Sequence, residues 1–219
     1  MYKALYSLLT ASLLVTALSA ADVNATAPTQ VSIKTGWYLG LGLGATKFMD
    51  DDIGESFDNR PLGVSLDQDT SNGFKLYAGY KFNTIVGVEA SYVNYGKFTY
   101  KNSLGDTTTT LNPESLNLAA NLGYDFLNDQ LRPYALAGLG YVDFAQGGYD
   151  KIYSTESSFG MVFGVGVEYT PKNFHGIGFR ASIDRTMPVT VQTYNDPTKD
   201  DEAFIQPLCL YSIGINYKF

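Results

Sequence analysis

The last nine residues of the chain, YSIGINYKF (211–219), alternate apolar or aromatic side chains with small or polar ones. The apolar set ends on the final residue and consists of Tyr211, Ile213, Ile215, Tyr217 and Phe219. A period of two is typical of a β-strand, in which successive side chains point to opposite faces. Chain ends are normally frayed and polar. We therefore predict that neighbouring strands hold this segment along its whole length.

The same alternation recurs in earlier segments, which predict seven further strands. These segments are GWYLGLGLGATKF (36–48), NGFKLYAGYKF (72–82), IVGVEASYVNYGK (85–97), ESLNLAANLGYDF (114–126), PYALAGLGYVDF (133–144), SSFGMVFGVGVEY (157–169) and GIGFRASID (176–184). The fifth segment is so rich in small apolar residues that the pattern does not indicate which of its side chains point inward. Links after the first, third, fifth and seventh strands are long, and the others are short. An antiparallel meander then has four long loops at one end and three tight turns at the other.

One face of the predicted strands is apolar and aromatic, whereas the other carries Gly, Ser, Asn and charged residues. Eight strands enclose an interior only just wide enough for side chains, so the large apolar set cannot fit inside. The apolar face must point outward, which only lipid accepts. Unpaired strand edges are costly in lipid, so the last strand must pair with the first. The sequence predicts an all-β fold, an eight-stranded antiparallel up-and-down transmembrane β-barrel over residues 36–219.

The beginning of the chain has the features of a secretory leader. Lys3 precedes the apolar stretch ALYSLLTASLLVTAL, and small residues follow in SAAD. The stretch is shorter than the roughly 20 apolar residues that span a membrane as a helix. We predict a signal peptide over residues 1–20 and a flexible lead-in over residues 21–35.

Composition excludes several function classes. The formal net charge of −7 argues against nucleic-acid binding. One cysteine, Cys209, rules out an internal disulfide framework and a Cys-rich metal site. By its parity with Phe219, Cys209 is predicted to be a small lipid-facing residue near the outer end of the last strand.

The carboxyl-terminal stretch SIGINYKF, following eight alternating segments, resembles the small outer-membrane barrels of the OmpA and OmpX type over residues 36–219. The resemblance implies a protein of the cell outer membrane, in contact with outer-membrane lipid. It also implies that Gly214, Tyr217 and Phe219 form the signal recognised by the outer-membrane assembly machinery. Because the sequence stops at the barrel, we expect no peptidoglycan-binding domain after it.

The resemblance also assigns residues to the interior. GVEASYVNYGK, and GVGVEYTP followed by Arg180, are similar to strands that place glutamates and an arginine inside the OmpA barrel. It implies that Glu89, Glu168 and Arg180 form a salt-bridge cluster in the lumen. The family pattern has a lysine in the fourth strand, where this sequence has Asn117 and Asn121. A gating switch of the family type would need another lysine in its place, and Lys75 or Lys81 in the second strand is the candidate.

Three functions are compatible with such a barrel. The favoured interpretation is a structural and surface-interaction, adhesion-like protein with four displayed loops, possible extracellular ligands and a charged, largely plugged lumen. The alternatives are a small channel and, less favoured, a lipid-acting enzyme. An enzyme of that kind needs a histidine beside a serine or an acid near the outer rim. The single histidine, His175, falls in a predicted periplasmic turn, so we expect no catalytic residues, no enzyme activity and no cofactor.

The first long loop, MDDDIGESFDNRPLGVSLDQD (49–69), is strongly acidic. Its spacing is not that of an EF-hand loop, which needs a central glycine and a terminal bidentate glutamate. We predict a solvated loop and assign no metal ligands, although the sequence leaves Ca²⁺ binding by this loop open.

Overall fold

The computed structural model describes residues 35–48, 65–66, 70–101, 107–148, 156–192 and 202–219. The predicted leader, the predicted lead-in up to residue 34 and most of the acidic loop lie outside these ranges. Among the described residues, no helix is long and apolar enough to cross a membrane.

The described ranges contain thirteen strands and one 3-10 turn, Lys172–Phe174. In chain order the strands are β1 (Gly36–Phe48), β2 (Ser65–Leu66), β3 (Thr70–Lys81), β4 (Val86–Asn94), β5 (Phe98–Lys101), β6 (Thr107–Leu111), β7 (Glu114–Gly123), β8 (Leu131–Asp143), β9 (Gly147–Gly148), β10 (Ser157–Tyr169), β11 (Ile177–Gln192), β12 (Glu202–Ile205) and β13 (Leu208–Lys218). Eight of them, β1, β3, β4, β7, β8, β10, β11 and β13, form an antiparallel barrel in that order.

The barrel closes between its first and last strands, as the sequence predicts. β1 and β13 pair from Tyr38 opposite Lys218 to Phe48 opposite Leu208. The Phe219 amide then donates to the Trp37 carbonyl at 3.0 Å. Paired on its other side with β11, the last strand is held along its whole length, so the barrel has no open edge in lipid.

The strand register fixes the tilt of the barrel. A row of register partners that starts at Lys47 passes through β13, β11, β10, β8, β7, β4 and β3, and returns to β1 at Trp37, ten residues away. For eight strands, a shear of ten residues corresponds to a strand tilt of roughly 40°. This tilt lies within the range of outer-membrane barrels.

The two faces of the strands have the predicted character over most of the barrel. Large apolar side chains point outward, as shown by Leu118, which is 60% exposed, and Val165, which is 57% exposed. The sequence did not indicate which side chains of the fifth predicted strand point inward. In the structure this strand is β8, and Arg132, Tyr134 and Leu136 point inward. Small residues on both faces of this strand hid its facing from the sequence pattern.

The two ends of the barrel differ. At the end that we call the turn end, residues 82–85, 124–130 and 170–176 link neighbouring strands. At the opposite end, the loop end, β2, β5, β6 and β9 form a second sheet, and β12 pairs with the extension of β11. The four-long, three-short alternation predicted from the sequence therefore corresponds to two structurally different ends.

The interior becomes apolar toward the loop end, which the sequence analysis did not predict. Ten residues, each at most 1% exposed, form one cluster there, which we call the apolar cap: Phe48, Val93, Tyr95, Phe98, Tyr100, Leu111, Val142, Phe144, Leu208 and Leu210. The cap joins the ends of barrel strands to β5 and β6 of the second sheet. The second sheet is thus packed onto the barrel through buried side chains.

One prediction about the outer face is wrong. Cys209 has the outward parity of Tyr211, but it is only 3% exposed instead of facing lipid. Its register partners are Lys47 on β1 and Arg185 on β11. A small side chain between two long ones is covered by its neighbours, which strand parity alone does not reveal.

Candidate functional site

The centre of the lumen holds an ion pair between opposite walls. Glu89 is on β4 and Arg180 is on β11, and both are almost fully buried. The Arg180 guanidinium donates through Nη1 to Glu89 Oε2 at 2.8 Å and through Nη2 to Glu89 Oε1 at 3.0 Å. Two parallel bonds between a guanidinium and a carboxylate form the strong, directional version of this contact.

Two tyrosine rings enclose the same guanidinium. Arg180 Cζ lies 4.2 Å from the ring centroid of Tyr77 and 4.2 Å from that of Tyr134. Arg180 Nε also donates to the Tyr134 hydroxyl. Stacking of a cation on aromatic faces is favourable in a space with little bulk water. Arg180 is therefore fixed in position by its carboxylate partner and by both ring faces.

A lysine extends this arrangement toward the loop end. Lys75 Nζ lies 3.1 Å from Glu89 Oε1 and 3.0 Å from Asp184 Oδ1. Ser182 donates to the other oxygen of Asp184 at 2.7 Å. We call Arg180, Glu89, Lys75 and Asp184 the central network. It contains two cations and two carboxylates, so its formal charges cancel.

Glu168 belongs to a separate group near the turn end. Its carboxylate lies 3.5 Å from Lys81 Nζ, forms an ion pair with Lys218 and accepts a hydrogen bond from Asn216 at 2.7 Å. The structure thus brings Glu89 and Arg180 together and gives Glu168 other partners. Glu168 is the register partner of Arg180, but the arginine side chain extends across the lumen to β4. Strand parity indicates the face of a residue without indicating its partner.

A second arginine, Arg132 on β8, lies near the turn end and is the register partner of Glu168. Arg132 donates to the Thr84 carbonyl and, at 3.3 Å, to Asn121 Oδ1, and it lies 3.5 Å from Asp125. Asn121 also donates to Glu89 at 3.2 Å. Polar contacts therefore continue from the turn end into the central network. A cavity of about 160 Å³ opens at the turn end, lined by Thr35, Gly36, Trp37, Tyr38, Lys81, Asp125, Asp129, Lys218 and Phe219.

Toward the loop end, neutral polar groups follow the central network and form what we call the neutral polar layer, to which Tyr95 of the apolar cap contributes its hydroxyl and its carbonyl. The Tyr95 hydroxyl, just beyond the end of β4, donates to Thr186 at 2.8 Å. Thr46 in turn donates to the Tyr95 carbonyl at 2.6 Å. These hydroxyl groups are neutral at physiological pH, so this layer carries no charge.

Comparison with known proteins identifies the family. Residues 9–219 match the family described as "Outer membrane protein beta-barrel domain". The chain belongs to this family. It is therefore an outer-membrane β-barrel of the cell outer membrane, and its turn end faces the periplasm. No curated protein matches the chain.

Solved structures show the same fold at low sequence identity. The outer membrane protein OprG from Pseudomonas aeruginosa is 18% identical with a TM-score of 0.54, and the match covers 85% of this chain and 97% of OprG. Neisserial surface protein A is 20% identical with a TM-score of 0.52, covering 85% and 99%. E. coli outer membrane protein W is 18% identical with a TM-score of 0.51, covering 86% and 100%.

The remaining sequence candidates lie away from the lumen. His175 is exposed in the turn between β10 and β11, at the periplasmic end. In the parts of the chain that the structure describes, no group of three or more His, Cys, Asp and Glu side chains is placed to hold a metal ion. Most of the acidic loop, in which Ca²⁺ binding stayed open, lies outside the described residues.

The carboxyl-terminal residues lie in the closing seam of the outer-membrane barrel. A Cβ at Gly214 would lie 2.2 Å from the Leu41 carbonyl oxygen on β1. The rings of Tyr217 and Phe219 meet edge to face at 5.0 Å on the outer surface. These residues therefore have structural roles in the seam, apart from the predicted role as an assembly signal.

Sequence reasoning missed the three lumen tyrosines as a group. Each one faces a glycine that is its register partner on the neighbouring strand: Tyr77 with Gly40, Tyr38 with Gly79, and Tyr134 with Gly166. A Cβ at these glycines would lie 2.2, 2.3 and 2.3 Å from the ring or hydroxyl atoms of the paired tyrosine. Aromatic rings that cover cross-strand glycines are a known stabilising feature of barrels. The sequence pattern that could have revealed this pairing is an inward tyrosine on one strand opposite an inward glycine on the next.

This pairing makes a prediction for Gly40. The Gly40→Ala substitution should lower the free energy of unfolding by roughly 1 to 3 kcal/mol, because the new methyl group displaces the Tyr77 ring that stacks on Arg180. Gly42→Ala is the matched control, since Gly42 is inward on the same strand and its nearest neighbour, Ser212 Oγ, is 3.3 Å away from the added carbon. Urea unfolding in lipid vesicles measures both. Equal losses would show that tyrosine packing does not require Gly40.

Proposed function

We propose that the protein is a structural and surface-interaction barrel, which displays four long loops to the outside and does not conduct through its lumen. The observation that carries this proposal is the filling of the interior along its height. Side chains of the Glu168 group, the central network and the neutral polar layer follow one another, and the apolar cap lies above them.

The loop end supports a role in recognition. The second sheet is packed onto the barrel by the apolar cap, so the bases of the loops are fixed to a rigid scaffold. Binding residues are often carried by loops on such scaffolds. An adhesion-like role needs a displayed surface and no chemistry, so the proposal includes neither a cofactor nor enzyme activity.

We propose two further partners for the barrel. The outward apolar face contacts outer-membrane lipid. Gly214, Tyr217 and Phe219 are recognised by the outer-membrane assembly machinery before the seam between β13 and β1 closes. After closure, β13 is paired on both sides, so this recognition belongs to the unfolded or partly folded chain.

A binding screen with intact cells tests the surface role. The protein is expressed in a host that lacks other adhesins, and cell binding to immobilised host matrix proteins is compared with that of vector-only cells. A variant with shortened tips in all four loops is expected to lose binding while it still migrates as a folded barrel on unheated gels. A matched control changes the exposed periplasmic turn at Asn173, Asn173→Ser, and is expected to bind normally. Binding that survives loss of all four loop tips would overturn the proposal.

A further inference from the structure

The charged residues on the outer face of the barrel strands fall into two pairs of opposite sign. Among the described barrel strands, Lys47 on β1 and Arg185 on β11 are the basic residues with outward parity. The acidic residues with outward parity are Glu114 on β7 and Asp143 on β8, which are register partners. The two pairs lie on opposite sides of the barrel, because β13, between β1 and β11, is across from β7 and β8 in the strand order.

The basic pair lies in one row of the sheet. Lys47 is the register partner of Cys209, and Cys209 is the register partner of Arg185. Two strand spacings, or about 10 Å, therefore separate the two basic residues along the sheet. Cys209 between them is only 3% exposed, whereas both basic residues are exposed. Both side chains are long enough for their cationic groups to approach one another above Cys209.

The height of the pair in the membrane follows from the register. Lys47 is ten residues along β1 from Trp37. The Trp37 ring packs against the Tyr80 ring on the outer surface near the turn end. At roughly 3.3 Å per residue and a tilt of roughly 40°, ten residues rise by about 25 Å. This is the height of the apolar band of an outer-membrane barrel. Lys47 therefore lies at the outer boundary of the hydrocarbon.

Arg185 lies slightly deeper than Lys47. The row of register partners falls by about 25 Å over one circuit of eight strands, so it falls by about 6 Å between β1 and β11. An arginine at this depth extends its guanidinium toward the headgroups while its stem stays in the apolar layer. Both cations thus reach the headgroup level of the outer leaflet.

We propose that Lys47 and Arg185 form a binding site for a phosphate group of an outer-leaflet lipid. The guanidinium supplies a planar pair of donors that fits two phosphate oxygens, and the ammonium supplies a second positive charge. The acidic pair repels phosphate on the opposite side, so phosphorylated lipid is bound on one side of the barrel. The site rests on the barrel register and does not depend on what the loops recognise.

Native mass spectrometry of the folded barrel in a maltoside detergent tests the site. The probes are lipid A with two phosphates, the same lipid after removal of its phosphates, and inorganic phosphate. The variant is Lys47→Gln with Arg185→Gln. The matched control, Glu114→Gln with Asp143→Asn, removes the same number of charges from the acidic side. Heat-dependent migration on gels checks that each variant is folded.

We expect the wild type to bind the phosphorylated lipid more tightly than the dephosphorylated one. The basic-pair variant should lose about tenfold in apparent affinity for the phosphorylated lipid, and the control should lose none. Equal affinity of the wild type for both lipids would overturn the proposal, and this comparison needs no variant. An equal loss in the control would also overturn it. If inorganic phosphate displaces the lipid at equal concentration, the site is a small-anion site and the lipid assignment is wrong.

Discussion

Arg180→Ala is expected to lower the free energy of unfolding by roughly 3 to 5 kcal/mol, which is the scale for breaking a buried ion pair by removing one partner. The substitution removes both hydrogen bonds to Glu89 and the group that stacks between Tyr77 and Tyr134. Glu89 then keeps Lys75 as its only cationic partner in the central network. The main cause of the lower stability is that the buried Glu89 carboxylate loses one of its two cationic partners in this network.

Urea unfolding in lipid vesicles measures this effect, and two further variants separate its causes. Arg180→Lys keeps the charge but lacks the planar pair of donors, so it should recover only part of the loss. Arg180→Met combined with Glu89→Gln removes both charges and should cost less than Arg180→Ala alone. If Arg180→Ala unfolds at the wild-type midpoint, the central network does not contribute to stability.

A charge on the outer face is expected to have the second-largest effect. Leu118→Arg or Val165→Arg should cost roughly 2 to 4 kcal/mol, because an arginine near the bilayer midplane loses its hydration without gaining a partner. Both residues face outward and are more than half exposed. Leu41 and Ala78 are on the same face, and charges there should have similar effects.

The matched control for this prediction is Asn173→Arg in the exposed turn between β10 and β11. Water solvates the new charge at that position, so the unfolding midpoint should stay near the wild-type value. All variants are compared by urea unfolding in vesicles of one lipid composition. Equal costs at the turn and at the outer face would mean that the outer face does not contact lipid.

The fold was predictable because a barrel repeats one simple pattern. A period of two, recurring eight times with alternating long and short links, determines the strands, their order and the closure of β13 on β1. The facing of β8 was not predictable in the same way. Its inward Gly138 and Gly140 alternate with outward Ala137 and Leu139, so neither face is distinctly larger or more polar.

The central network was predictable only in part. Inward parity and family resemblance identified Glu89, Glu168 and Arg180 as lumen residues, and the structure brings Glu89 and Arg180 into contact. The different partners of Glu168 depend on the direction in which long side chains cross the lumen, and parity contains no such information. The sequence points to Lys75 only as a candidate, from the second predicted strand, for the lysine of a gating switch. Asp184 completes the network through Lys75, and the alternation in the seventh predicted strand indicates its inward face but not this partner.

The apolar cap depends on contacts that are distant in sequence. Its members come from barrel strands, from Tyr95 and Phe144 directly after two of these strands, and from β5 and β6, which lie within predicted loops. Short strands in loops have little periodicity to detect, and their burial depends on packing against the barrel. The sequence pattern could therefore predict long loops but not their rigid bases.

The central claim is that the lumen is closed by its own side chains, and single-channel conductance in a planar bilayer tests it most directly. The folded wild-type barrel should be nearly non-conducting, because charged layers and the apolar cap fill the path. Arg180→Ala should raise the conductance, because it removes a large charged side chain from the centre of the lumen, while the apolar cap limits the increase. Large, stable, porin-like conductance of the wild type, unchanged in Arg180→Ala, would contradict the account and would identify the lumen as an open channel.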